Sequence, residues 1–380
     1  MKVTIPNEVF AHVLSVVSRV IRTNINIPIL RNVLLDFDKN HLNMVATDLE
    51  TQISIKLELK SPETQKITVH STTFTQYLNS LPKDGSLQLT LTQKKLQVAY
   101  KNSKASFTIK PATDYPLFET NKPQKLVSLP VEQLSQALEK TIIATSKDDL
   151  RPILTGVHFA IKDKNTELVA LDTYRVTYTK IKTKANNSAQ ITVPAQSLSQ
   201  LLRILNDSFL QALADTDTVD ISLLTNDKEG QLLVFTYGPI TLTTRLLEGE
   251  YPNYKDILQT ETDKQFKIPY KELQEALKRV GVFAQNSMGQ KVVFDFNDNK
   301  LVLSAQALEM GETNETINIE SLTSNKELKI GFQLRFLQDM LTVFDSQENL
   351  IIGSNNSTSP AVIMTEDKKD LYHIIMPLKL

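Results

Sequence analysis

One pattern of apolar and polar positions occurs three times along the chain. Counted from a proline, it falls four, seven, eight and eleven positions on. These are Phe10, Val13, Leu14 and Val17 after Pro6, and Leu134, Ala137, Leu138 and Thr141 after Pro130. The third copy is Leu273, Ala276, Leu277 and Val280 after Pro269. At 3.6 residues per turn these positions share one face, so each copy predicts an amphipathic helix. Proline suits its first position, where an N–H would lack a helical partner anyway. Glu8, Glu132 and Glu272 fall in the first turn, where the helix dipole favours a negative charge.

A second landmark follows each helix at a kept distance. Ile67-Thr68-Val69 precedes Phe74, Tyr77 and Leu78, and Ile191-Thr192-Val193 precedes Leu198, Leu201 and Leu202. The third copy has Ile330, then Leu337, Met340 and Leu341. Pro6 to Pro130 and Leu78 to Leu202 are the same step, 130 − 6 and 202 − 78 both giving 124. Such spacing marks a true internal repeat. Between and after the helices apolar residues alternate as in half-buried strands: Ile53, Ile55, Leu57 and Leu59; Leu87, Leu89 and Leu91; Val219, Ile221 and Leu223. The first two copies end on Tyr115-Pro116 and Tyr251-Pro252, and polar linkers fall at 119–125 and 260–264. The expectation is an α+β chain of three similar domains, 1–122, 123–260 and 261–380.

Composition narrows the function more than the fold. Apolar residues make up 41% and charged residues 22% of the 380, the balance of a soluble globular protein. The absence of cysteine removes disulfides, thiolate metal sites and a cysteine nucleophile, and points to a reducing cytoplasm. No apolar run approaches the ~18–20 residues that span a bilayer, so no membrane partner is expected. A formal charge of −1 excludes a globally basic nucleic-acid coat but leaves room for a basic face.

The case for an enzyme is thin. No phosphate-cradling glycine motif occurs among the ten glycines, and the five histidines stand apart from any ligand spacing. No catalytic residue, metal or cofactor is therefore expected. A hydrolase or sugar-binding enzyme using Asp48, Asp148 and Asp172 is the alternative. Asp48 and Asp172 are repeat equivalents, and an aspartate that fixes turn amides explains that better than catalysis. Basic residues are more suggestive: Arg19, Arg22, Lys140, Lys147, Arg151, Lys278 and Arg279 lie on or after the first helices, and Arg203 and Arg335 on the second. Singly they read as solvated faces; on one shared surface they would attract phosphates without reading bases.

Three α+β repeats, the Thr47-Asp48-Leu49-Glu50 turn, Asp172-x-x-Arg175, the Tyr-Pro ends and the Met376-Pro377-Leu378-Lys379-Leu380 terminus together resemble the bacterial β sliding clamps. The resemblance covers the whole chain. It implies the processivity subunit of the replicative DNA polymerase III: a head-to-tail homodimeric ring of six clamp-type domains, with two helices of each on the inner face and antiparallel sheets outside. Twelve helices of ~10 Å diameter would leave an opening of roughly 28 Å, enough for duplex DNA and a water layer. The implied partners are a second copy, duplex DNA without regard to sequence, the replicative polymerase subunit, a clamp loader, and other repair and replication proteins.

By position, the resemblance implies a hydrophobic peptide groove of Leu154, Thr173, Tyr174, Arg175, Val176, Pro252, Ile257, Pro360, Val362, Ile374, Met376, Pro377 and Leu378. Apolar walls with a soft methionine suit an adaptable peptide surface. Without the resemblance Met376 and Leu378 read equally well as a terminal core strand. The basic residues above become DNA-facing, and a dimer seam is implied between Phe107 and Ile109 on one side and Val282 and Phe283 on the other. Lys101 and Lys104 are expected to pair across it with Glu309, Glu312 and Glu315. The chain departs from its relatives at several points. Tyr174 stands where many carry His, Asp256 where a basic residue is common, and Asp148 where the side chain is uncharged. Thr72, Thr73, Ala195 and Gln196 stand where some carry Arg or Lys facing the hole.

Overall fold

The computed structural model describes residues 1–22, 26–118, 123–226, 230–308, 310–324, 327–366 and 370–380. Each repeat contributes two long helices: α1 (Asn7–Val17) and α2 (Ser71–Ser80), α3 (Val131–Ile142) and α4 (Ala195–Leu205), then, past two short helices, α7 (Tyr270–Ala284) and α8 (Leu334–Val343). The short helices are α5 (Ser208–Ala214) and α6 (Tyr254–Leu258), and neither is foreshadowed by the apolar period. The predicted stripes are buried: Phe10, Val13, Leu14 and Val17 in α1, Leu134, Ala137 and Leu138 in α3, Leu273, Ala276, Leu277 and Val280 in α7. The prolines sit one position earlier than expected. Pro6 and Pro269 are the boundary residues before the helix, with ψ of 131° and 122°, and each also ends a strand. A residue without an N–H is tolerated at a strand end as readily as at a helix start.

Every strand pairing among the described residues is antiparallel. The chain divides into two compact units, 1–132 with 196–246, and 133–195 with 247–380. The first is built on a twelve-stranded sheet that runs from Lys2–Pro6 at one end to Gln124–Pro130 at the other. In it α1 and α2 pack together through Phe10 and Phe74, whose rings meet edge to face at 5.7 Å. The second unit holds a nine-stranded sheet and a four-stranded one, with α7 and α8 packed over a core that includes Phe266, Phe294, Phe296 and Phe332. These units cut through the middle repeat because sheets run on across the repeat junctions. Thr51–Glu58 pairs with Ile240–Arg245, and Arg175–Lys182 pairs with Leu371–Ile375. The segment 119–125, read as a linker, lies mostly outside the described residues.

Candidate functional site

On one face of the nine-stranded sheet a cluster separate from the main core gathers Leu154, Val169, Leu171, Val176, Tyr178, Tyr254, Val362 and Ile374. Register explains the set. Leu171 stands opposite Val176, Val176 opposite Ile374, and Ile374 opposite Val362, and directly paired residues share a face. Leu154 arrives from a short 3₁₀ turn, Pro152–Thr155, and Ile257 from α6 packs against the same cluster. Five groove residues named from the sequence, Leu154, Val176, Ile257, Val362 and Ile374, are thus brought together. At the surface Thr173, Tyr174, Pro252 and Met376 are exposed, and Pro360, Pro377 and Leu378 half-buried. The sequence reading missed Val169, Leu171, Tyr178, Tyr254 and the half-buried Ile153, Leu258, Met364 and Tyr372. One overlooked signal was available: Pro28-Ile29-Leu30 recurs at the same step as Pro152-Ile153-Leu154.

Arg175, named for the groove from the resemblance, is 4% exposed. Its Nε donates to Asp172 Oδ2 at 3.1 Å, and its other nitrogens donate to Asp339 Oδ2 on α8 and to the Ile143 carbonyl after α3. Its guanidinium covers the Phe336 ring at 4.7 Å. Asp172 Oδ1 accepts from the backbone N–H groups of Tyr174 and Arg175 at 2.8 and 2.9 Å, which fixes the turn. Tyr174, 57% exposed, stacks on Phe336 with ring centres 6.1 Å apart. Met376 N donates to the Tyr174 carbonyl at 2.8 Å and keeps the terminal segment at the rim.

Polar groups adjoin the cluster and the sheet that carries it. Tyr254 donates to Glu167 Oε2 at 2.9 Å, Lys162 pairs with the other Glu167 oxygen, and burial pushes the Tyr254 phenol up. His158 stacks on Tyr251 at 4.6 Å, and burial holds its pKa down at about 4. His373 is buried against Thr177 Oγ1 at 2.8 Å; burial and then the charge of Arg175 hold it down at about 3. Proton exchange near neutrality is foreign to both imidazoles.

The nine basic residues differ in how free they are. Lys147, Arg151, Arg203 and Lys278 are exposed, and Lys140 is half-buried. Four arginines meet carboxylates of this same chain: Arg22 with Asp48 at 2.7 Å, Arg279 with Glu315 at 2.8 Å, Arg19 with Asp207 and Arg335 with Asp339, both at 3.9 Å. Arg22 also donates to Gln196 at 3.2 Å.

The two strands beside the expected seam each have an open edge. Ser103–Pro111 is bordered on one side by Lys95–Tyr100, while its other neighbour, Gln65–His70, reaches only Ile109 to Pro111. Phe107 on it packs against Phe74 and Tyr77 of α2, at 4.9 and 5.5 Å. Gly311–Asn318 ends the four-stranded sheet. Near it Val282 is 63% and Met310 67% exposed, while Phe283 packs on the core. Two of the expected seam charges are already engaged: Lys101 with Asp84 at 2.9 Å, and Glu315 with Arg279. Glu309 lies outside the described residues, which leaves Lys104 and Glu312.

The carboxylates of the enzyme alternative all bond nearby backbone. Asp48 accepts from Glu50 N and Thr51 N at 3.1 and 2.7 Å, and Asp148 from Leu150 N at 3.0 Å, as Asp172 does in its own turn. Among the described residues no group of three or more His, Asp or Glu could hold a metal, and no helix is long and apolar enough to cross a membrane.

Comparison with known proteins agrees along the whole length. Residues 1–119, 128–253 and 255–379 match, in order, the N-terminal, central and C-terminal domains of the DNA polymerase III beta subunit. The beta sliding clamp of Synechococcus elongatus is 28% identical over 97% of this chain and 96% of its own. That of Vibrio cholerae is 25% identical over all of both. A crystal structure of the Pseudomonas aeruginosa sliding clamp with ligand covers both chains fully at 25% identity and a TM-score of 0.90. Another, of that organism's clamp bound to griselimycin, gives a TM-score of 0.90 at 24% identity.

Proposed function

We propose a function for a chain that belongs to the DNA polymerase III beta subunit family, the bacterial β sliding clamps. The family is one of non-catalytic processivity factors, which sets the hydrolase alternative aside. In the reading we favour, two copies close head to tail into a ring of domains 1–122, 123–260 and 261–380 around duplex DNA in the cytoplasm. Exposed Lys147, Arg151, Arg203 and Lys278 face the duplex, and at Arg19, Arg22, Arg279 and Arg335 the paired carboxylates temper the attraction. Weak phosphate contacts let a ring slide where strong ones would arrest it. A clamp loader opens the ring, and the polymerase subunit and other replication and repair proteins dock short apolar peptides in the groove.

One observation carries the groove. An apolar cluster separate from the main core gathers Leu154, Val176, Ile257, Val362 and Ile374, and Tyr174 and Met376, each two positions along the chain from Val176 and Ile374, are exposed. Calorimetric titration with griselimycin tests it: one site per chain is expected, abolished by Val362→Asp. Saturation unchanged in that variant would refute the assignment.

The unpaired edges of Ser103–Pro111 and Gly311–Asn318 support the seam. Cysteines at Phe107 and Phe283 are expected to crosslink two chains and to block loading onto circular DNA. Loaded rings should leave once the circle is cut, and retention on the linear product would count against topological holding. Lys104→Glu should weaken the dimer up to about fivefold at low salt and not at high salt, since exposed pairs contribute ~0–1 kcal/mol.

A further inference from the structure

A continuous run of charged contacts links α8 to the groove rim. Arg335, exposed on α8, has Nε 3.9 Å from Asp339 Oδ2, and the same oxygen accepts from buried Arg175. Arg175 holds Asp172, and Asp172 holds the backbone of Tyr174. A parallel path runs through rings: Phe336, next to Arg335 on α8, is covered on one side by Arg175 and stacks with Tyr174. Asp339 is therefore shared between a buried cation and one that solvent, or a phosphate, can draw away.

We propose that this relay makes the groove sensitive to nucleic acid, so that duplex DNA engaging Arg335 tightens the binding of peptide at the Tyr174–Met376 rim. It rests on the groove and ring readings above. With Arg335 on a phosphate, Asp339 turns wholly to Arg175, and the firmer tie holds Phe336 and Tyr174 where an incoming side chain meets them. Ordering the rim in advance removes part of the cost of binding. Linkage makes the effect reciprocal: an occupied groove strengthens the Arg335 contact with DNA.

The test titrates griselimycin into the dimer at low salt, with and without a short blunt duplex in excess. For the native chain the duplex should tighten binding about fivefold, the lower end of ordinary coupling. Arg335→Gln removes the competitor for Asp339, so its DNA-free affinity should rise to the native DNA-bound value and gain nothing more from duplex. Lys278→Gln on α7, outside the relay, should weaken DNA binding yet keep the coupling. No coupling in the native chain, or full coupling in Arg335→Gln, overturns the proposal. A compound that fails to bind in either condition refutes the groove itself, and the relay with it.

Discussion

The first two repeats build the same corner from the same parts and finish it differently. In the second, Val176 lies in the apolar cluster and Met376 is exposed. In the first, the position equivalent to Val176 is Gln52, whose Oε1 accepts from Phe118 N at 3.1 Å. The place of Met376 is taken by Arg245: Arg245 N donates to Glu50 O as Met376 N donates to Tyr174 O. Its Nε then donates to Leu49 O at 2.9 Å, and its guanidinium covers the Phe118 ring at 5.2 Å. Leu34, Val45 and Tyr115 remain beneath as a closed apolar patch. Two polar side chains thus tie the first corner together where the second has Val176 and Met376.

The aspartate turns separate the two corners most sharply. Asp172 partners an arginine that is almost wholly buried, whereas Asp48 partners Arg22, whose side chain is 48% exposed. Removing one partner of a buried ion pair strands a charge and costs about 3–5 kcal/mol. Asp172→Ala should lose about 3 kcal/mol in urea denaturation, the low end of that range, because Asp339 still pairs with Arg175. Asp48→Ala should lose much less, roughly the 1 kcal/mol of a turn cap, because Arg22 can turn to water. Equal losses would mean that burial of the arginine is not what distinguishes the corners.

Writing the first corner into the second is the next largest change. Met376→Arg places a guanidinium where Arg245 stands, and should weaken the groove ligand about thirtyfold, the ~2 kcal/mol of an interface hot spot. The dimer and its melting temperature should barely move, since Met376 is already 40% exposed. Ligand binding that survives would place the groove elsewhere.

Acid should find the second corner and spare the first. His158 and His373 occupy positions filled by Leu34 and Leu242 in the first corner, as the strand registers show. Their pKa values fall from 6.5 to about 4 and about 3 because burial disfavours the charged ring. Below about pH 6.5 the unfolded chain takes up protons that these folded rings refuse, so stability falls with pH across the window from 6.5 toward 4. The slope is up to about 1.4 kcal/mol per pH unit for each histidine. Melts between pH 7 and 5 should show it, and His158→Leu should reduce it. An unchanged slope would assign acid sensitivity to other groups.

Much of this was legible from spacing. The helix stripes follow from the 3.6 period, and the equivalence of Asp48 and Asp172 from the 124-residue step. Val176, Val362 and Ile374 could be named only through the resemblance to the clamp family; the strand registers then put them on one face of the sheet. The burial of Arg175 could not be foreseen, since a charge in a turn motif looks the same whether it faces solvent or is buried against Phe336 and Asp339 from a segment some 160 residues on. The engaged arginines were hidden for the same reason: Arg22 meets Asp48, and Arg279 meets Glu315, only after folding. The short helices α5 and α6 lack the length to show a period. Asp207 and Asn253, which cap them through Leu210 N and Lys255 N, were the available local signal.

The converse swap asks whether opening the first corner makes a second site. Arg245→Met removes the bond to Leu49 O and the contact with Phe118, each modest for a half-buried cation, so a loss of about 1 kcal/mol is expected. The ligand count should stay at one per chain. Phe118, only 7% exposed, also packs with Leu224 and Leu232 and remains as a lid, and Gln52 still presents an amide where Val176 presents methyl groups. A second site in calorimetry after this single change would mean that Arg245 alone keeps the first corner closed. If only the double variant with Gln52→Val gains one, two polar side chains are what separates a junction from a groove.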